Sequence, residues 1–237
     1  MPSLSIASLR TAPVMTTTDQ VFELLHNAII SFDLPPGSKM SEAEVSAQMG
    51  VSRQPVRDAF FRLSELGFLQ IRPQRATRVS KISEEAVNQA AFVRAALELA
   101  CLKEAIDKMT DAGIKKLDNI ISEQAEAVTV KDRVAFHELD DAFHHALCNI
   151  AGRAHVWTLI KEHKAHMDRA RYLSLPFSLD IAYSEHVGVM DAIRARDYEK
   201  SQQLMGDHLS RITKILGKIR DEHAEFFEEP GEDQSRT

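Results

Sequence analysis

The sequence has only two cysteines in 237 residues, Cys101 and Cys148, and no CxxC spacing, so a disulfide framework is excluded. Both fall inside helical patterns, where a thiol behaves as a small buried hydrophobe in a reducing compartment. Long apolar runs are missing too. None approaches the roughly 20 residues needed to cross a bilayer, and the N-terminus lacks a leader pattern. The expected location is the cytoplasm, with no membrane partner. No internal repeat is present, which argues against solenoids and propellers. Positive charge is in deficit, with 29 Lys and Arg against 35 Asp and Glu, a net charge of −6. That excludes a uniformly basic coat but not a local basic segment.

What is present is ordinary for a globular chain: 44% hydrophobic and 27% charged residues, enough for one large or two modest domains. Residues 1–16 are Ser/Thr/Pro-rich and read as a flexible arm. Val21, Leu24, Leu25, Ala28 and Ile29 form a helical stripe that stops at Leu34-Pro35-Pro36-Gly37. Ser41 and Glu44 have capping-box spacing for a short helix ending near Met49, and Gly50 suits its C-terminal turn. Ser52 is placed to cap another helix, in which Val56, Ala59, Phe60 and Leu63 face inward and Pro55 is tolerable in the first turn. Strands at 68–71 and 77–80 would flank a polar tip. Helix, helix-turn-helix and hairpin together predict a winged helix-turn-helix over 17–80.

After Ser80 the pattern is amphipathic helix to residue 227, with breaks near 110–113, 129–131, Gly152, Pro176 and Arg196. The fold class is therefore mainly α: a winged helix-turn-helix followed over 81–227 by an all-α antiparallel bundle of about six helices. An acidic Pro/Gly-containing tail, 228–237, reads as disordered.

The missing positive charge is concentrated in one place. Between Arg53 and Lys81 stand seven basic residues against two acidic ones. Arg53, Gln54 and Arg57 sit on the first turns of the second helix of the pair, where a guanidinium fork can read guanine and an amide can read adenine. Arg72, Arg75 and Arg78 on the hairpin are positioned for phosphates or the minor groove. The stretch from Val21 to Ser80, with its Pro-Gly turn and Gly-Val-Ser-Arg-x-Pro-Val-Arg, resembles the DNA-binding domain of GntR-family bacterial transcription regulators. The resemblance implies double-stranded operator DNA as partner, with Arg53 and Arg57 in contact. It departs at the wing tip, where Ala76 replaces a usual Gly.

A second motif, Asp140-Asp141-Ala142-Phe143-His144-His145, offers two Asp/His pairs at i,i+4 spacing. Phe136, Leu139, Phe143, Leu147 and Ile150 define the buried stripe of its helix. At about 100° per residue, Asp140 and His144 fall at the stripe's edge, while Asp141 and His145 turn towards water. His186 and His208 lie on further apolar faces, and buried imidazoles need partners. A shared divalent ion would satisfy Asp140, His144, His186 and His208 together, with Zn²⁺ the best match and Ni²⁺, Mn²⁺ or Fe²⁺ also suited. His137, His155, His163, His166 and His223 lack this placement. Residues 84–220 are similar to the helical effector domain of the FadR branch of GntR regulators. The similarity implies the same four ligands, a small organic acid effector completing the coordination, and Arg94 and Arg171 near its carboxylate. A homodimer of a ligand-responsive regulator, with repression as the common sign, is the expected function. Alternatives are a direct metal sensor and a metallohydrolase, the latter without a clear general base in the same stripes.

Overall fold

The computed structural model describes residues 15–71 and 76–229. Most of the expected arm (1–14), the hairpin arginines Arg72 and Arg75, and most of the expected tail lie outside these. Helix α1 (Thr17–Ile30) is entered through a reciprocal capping box between Thr16 and Asp19. Helix α2 (Glu42–Met49) starts at Ser41, whose hydroxyl accepts the Glu44 amide at 3.1 Å, and ends on Gly50 with φ of 65°. That left-handed conformation is the one a Cβ disfavours. Ser52 stands at the N-cap position of α3 (Arg53–Glu65), but its side chain makes no capping hydrogen bond.

Strands β1 (Lys39–Met40), β2 (Leu69–Gln70) and β3 (Thr77–Val79) form an antiparallel sheet in the order β1-β3-β2. Two residues are too few for an alternation pattern, so β1 left no mark in the sequence reading. Ile29, Val56, Phe60, Leu63 and Phe68 lie in one apolar cluster between the helices and the sheet. Each such side chain contributes about 1.5–3 kcal/mol by burial.

Six helices follow among the described residues: α4 (Glu84–Asp107), α5 (Asp111–Val130), α6 (Arg133–Ile150), α7 (Ala154–His163), α8 (Ala165–Arg194) and α9 (Tyr198–Glu222). They pack as a bundle with α8 against α9 and α4, and α5 against α6. Two expected boundaries need correction. Pro176 does not end a helix; it lies inside the 30-residue α8. The ring costs one backbone hydrogen bond, but Leu175, Leu179 and Ala182 are buried around it and hold the helix in place. The break falls instead at Lys164, which carries no Gly or Pro signal and is buried with two carboxylates. After α9 a short 3₁₀ turn (Ala224–Phe226) leads back to the interdomain segment, where the Ile82 amide donates to Phe226 O at 2.8 Å. The Glu228 amide, at the start of the expected tail, donates to Ile82 O at 3.0 Å.

Candidate metal centre

Helices α6, α8 and α9 bring Asp140, His144, His186 and His208 together, with all four offered ligand atoms within 4.8 Å of one another and all four residues buried. Nε2 of His208 lies 3.1 Å from Nε2 of His144 and 3.2 Å from Nε2 of His186. The Asp140 carboxylate is 3.7 Å from His144 Nε2 and 3.6 Å from His186 Nε2. The other ring nitrogens face polar groups from behind: His186 Nδ1 meets Gln124 Oε1 at 2.9 Å, His208 Nδ1 meets Glu185 Oε2 at 2.8 Å with Arg211 Nη2 at 3.1 Å, and His144 Nδ1 lies 2.5 Å from Glu98 Oε2 as an ion-pair contact. Gln124 is itself oriented, its amide donating to Leu139 O at 3.0 Å.

With the Nδ1 protons directed at these acceptors, three Nε2 lone pairs face one another. Lone pairs at such range repel unless a cation lies among them. A proton is a poor candidate, because burial and then the neighbouring imidazoles push His208 down to about 3 and His186 well below its usual range. A divalent ion fits. At metal–nitrogen bonds of about 2.0–2.1 Å, two imidazole nitrogens lie roughly 3–3.4 Å apart. Burial opposes ionisation of Asp140, yet Arg171 first, then His144 and His186, hold its carboxyl well below the usual range.

The outward pair needs partial correction. Asp141 and His145 stay out of the four-residue cluster, but neither faces open water. Asp141 is half-buried, 2.6 Å from Lys164 Nζ and 3.4 Å from Arg171 Nη1, because α8 packs on that side of α6. His145 stacks on Trp157 with ring centroids 5.6 Å apart. His137, Asp141 and Asp168 form a further carboxylate–imidazole group. There the Lys164 ammonium, 2.6 Å from both carboxylates, already serves as the cation.

A cavity of about 50 Å³, partly open to solvent, adjoins the cluster. Arg94, Arg171 and Arg211 line it beside Asp140 and His208, with Leu175, Ile212 and Ile215 as apolar wall. Arg94 Nε donates to Glu98, one turn on in α4, at 2.5 Å, so Arg94 is half of an ion pair and also part of the cavity wall. Arg171 bonds Asp140 directly and reaches Asp168 at 3.2 Å. Sequence reading missed Arg211, one turn beyond His208, which pairs with Glu185. It also missed Gln124 and Glu185, whose only signal was a polar residue on an inward helical face.

The cluster is joined to the winged domain through the start of α8. Arg169 is fully buried; its Nη1 donates to Ser80 O at 2.5 Å and its guanidinium lies 5.6 Å from the Phe68 ring. Burial lowers its pKa to about 10. His166 Nδ1 accepts the Ser83 amide at 3.0 Å and lies 3.1 Å from Arg169 Nη2. Two donors on one ring nitrogen require it unprotonated, and burial followed by Arg169 depresses His166 from 6.5 to about 3. Its neutral form is favoured in the fold, whereas the unfolded chain takes up a proton below 6.5. The stability it contributes is complete above that value and is lost as pH falls towards about 3. Urea unfolding of the chelator-treated protein is expected to show a lower midpoint at about pH 5 than at about pH 7.5, and His166→Gln is expected to shrink that difference. An unchanged difference would remove His166 as a contributor.

Elsewhere on the winged domain, Arg53, Gln54 and Arg57 are exposed on α3. Gln54 donates to Asp58 at 2.8 Å, and Arg57 presents Nε and Nη2 to Glu42 at 3.2 and 3.0 Å. Arg78 is exposed on β3 and donates to Gly37 O at 2.9 Å. The described members of the candidate DNA face are thus on the surface, each tied to a local acceptor or, for Arg53, open.

An exposed recognition-type helix on a winged helix-turn-helix, joined to a helical bundle with a polar cavity, defines the class of two-domain DNA-binding regulators. Residues 17–79 match the family described as bacterial regulatory proteins, gntR family, and residues 89–211 match the FCD domain. The chain belongs to the GntR family of bacterial regulatory proteins and carries an FCD domain. It is 35% identical over 219 residues to the HTH-type transcriptional repressor RspR of Escherichia coli (strain K12), covering 92% of this chain and 96% of that one. In fold it is similar to E. coli McbR/YncC, with a TM-score of 0.75 at 20% identity over 86% of this chain and 99% of the other. A GntR-type structure from Rhodococcus sp. RHA1 gives a TM-score of 0.72 at 23% identity, over 84% and 97%. These two likenesses speak for the fold alone. The chain is a transcriptional regulator rather than an enzyme, and the metallohydrolase alternative is withdrawn. No helix among the described residues is long and apolar enough to cross a membrane.

Proposed function

We propose that the chain is a repressor that binds operator DNA as a homodimer and responds to a small organic acid held at a divalent metal ion. Asp140, His144, His186 and His208 are the ligands, and three nitrogens with one carboxylate match zinc best. Arg94 and Arg171 receive the acid. Arg53, Gln54, Arg57 and Arg78, with Arg72 and Arg75 on the wing, contact DNA. The convergence of three Nε2 lone pairs and a carboxylate on the wall of an arginine-lined cavity carries this reading. Similarity to the repressor RspR supports the sign. When bound, the ion would supply positive charge that attracts a carboxylate.

The chain's own residues supply the coupling. Arg171 is shared among Asp140, Asp141 and Asp168, so an acid that draws on Arg171 redistributes those pairs. Arg169 and His166 stand on the same helix and hold Ser80 and Ser83 at the interdomain segment. A shift of α8 therefore reaches the winged domain, and in a dimer it alters the spacing of two recognition helices on half-sites one turn apart. A second reading has its own observation. Asp140 is paired with Arg171, so metal loading alone would compete for that carboxylate and could itself be the signal. Native mass spectrometry of the purified protein tests the first reading: a dimer retaining one metal ion per chain and a small acid is expected. A dimer with metal that retains no added acid favours metal sensing, and absence of metal after zinc loading removes both.

A further inference from the structure

Arg94 is paired with Glu98 and Arg211 with Glu185, while Arg171 and Lys164 are shared among Asp140, Asp141 and Asp168. Imidazoles that ligate a metal do so as neutral rings, so they offset none of a divalent ion's charge. A divalent ion there leaves positive charge that favours an anionic ligand. A separate observation points to a second negative charge on that ligand. Arg94 Nη2 and Arg211 Nη1 are buried and have no hydrogen-bond partner among the described residues. Arg94 Nη2 is 3.8 Å from Asp140, beyond hydrogen-bond reach. Buried guanidinium donors left unmade cost free energy, and here both border the same cavity. Arg94 lies on α4 beside Asp140, whereas Arg211 lies on α9 beyond His208, so the two open donors belong to different helices.

We propose that Arg211 forms a second anion subsite in this cavity, and that the effector is a small dicarboxylate with one end at the metal and Arg94 and the other on Arg211. Leu175, Ile212 and Ile215 accommodate its carbon chain. This rests on the acid-effector reading above and narrows it to a ligand class.

Calorimetric titration of the zinc-loaded full chain with matched acids tests it: propanoate against malonate, butanoate against succinate, pentanoate against glutarate. At least one diacid is expected to bind about tenfold or more tightly than its monoacid partner, the scale of one charge-assisted hydrogen-bonded pair. Arg211→Gln, titrated at saturating zinc because Arg211 pairs with the Glu185 that holds His208, is expected to abolish that preference while monoacid binding persists. Arg211→Lys, which keeps a charge against Glu185 but loses the guanidinium fork, is expected to retain zinc and lose most of the preference. Equal binding of monoacids and diacids by the native protein overturns the subsite while leaving the acid effector standing. So does a full preference in both Arg211 variants, or an equal loss for both acids. If zinc is bound and no acid of either kind binds, the effector reading itself falls.

Discussion

His208→Ala is expected to abolish stoichiometric zinc binding and with it the rise in melting temperature that zinc confers. His208 Nε2 is the hub of the cluster, lying 3.1 Å from one ligand nitrogen and 3.2 Å from the other. Its loss leaves two imidazoles and Asp140, a carboxylate already shared with Arg171. Losing merely an outer-shell partner weakens metal sites by about 10–100-fold, so loss of a direct ligand is expected to exceed that. The metal-free protein gains from relief of lone-pair repulsion and loses from the cavity left behind, so the readout is the zinc-dependent difference in melting temperature, not its absolute value. Asp140→Ala is expected to act similarly. His145→Ala and Asp141→Ala are expected to keep zinc near the native level, but with a difference between them. Asp141→Ala removes one of two carboxylates from the buried Lys164 ammonium. Breaking a buried pair outright costs about 3–5 kcal/mol, and the remaining Asp168 limits the loss to less than that. Equal loss of zinc from Asp140→Ala and Asp141→Ala would contradict the assignment.

Arg57→Ala is expected to weaken operator binding by about 1–3 kcal/mol, the value of a bidentate base contact. Arg57 is 61% exposed and its fork is occupied by Glu42. DNA must therefore displace a carboxylate that costs little to release, since exposed ion pairs are worth about 0–1 kcal/mol. Glu42→Gln is accordingly expected to tighten DNA binding slightly, the opposite sign. Fluorescence anisotropy with operator DNA at fixed salt checks both. Unchanged affinity for Arg57→Ala would take that residue out of the interface.

Much of this was legible in the residues themselves. The cap at Ser41, the turn at Gly50 and the inward Val56, Phe60 and Leu63 follow from local rules. So does the phase that separates His144 from His145, because the helix through them is regular and its stripe is strongly apolar. What failed were features set by neighbours. The phase of its own helix turns Asp141 to water, yet Lys164, at the break before α8, and Arg171 on α8 meet it on that side. Pro176 was read as a break because the ring removes a hydrogen bond, yet packing of Leu175 and Leu179 carries α8 through it. Lys164, where the chain does break, bears no local signal, and its burial depends on carboxylates from two helices. His166 and Arg211 were passed over for the same reason: their partners are distant in sequence or belong to a cavity that exists only once four helices have packed.

The central claim is that an acid at the metal changes the hold on DNA. It is tested most directly by measuring operator affinity of the zinc-loaded dimer with and without a saturating diacid. The expected result is a loss of affinity of about 5–150-fold, the usual range of allosteric coupling, which is diminished in Arg171→Ala. Operator affinity that responds to zinc removal but to no carboxylic acid would contradict the claim and leave the metal itself as the signal.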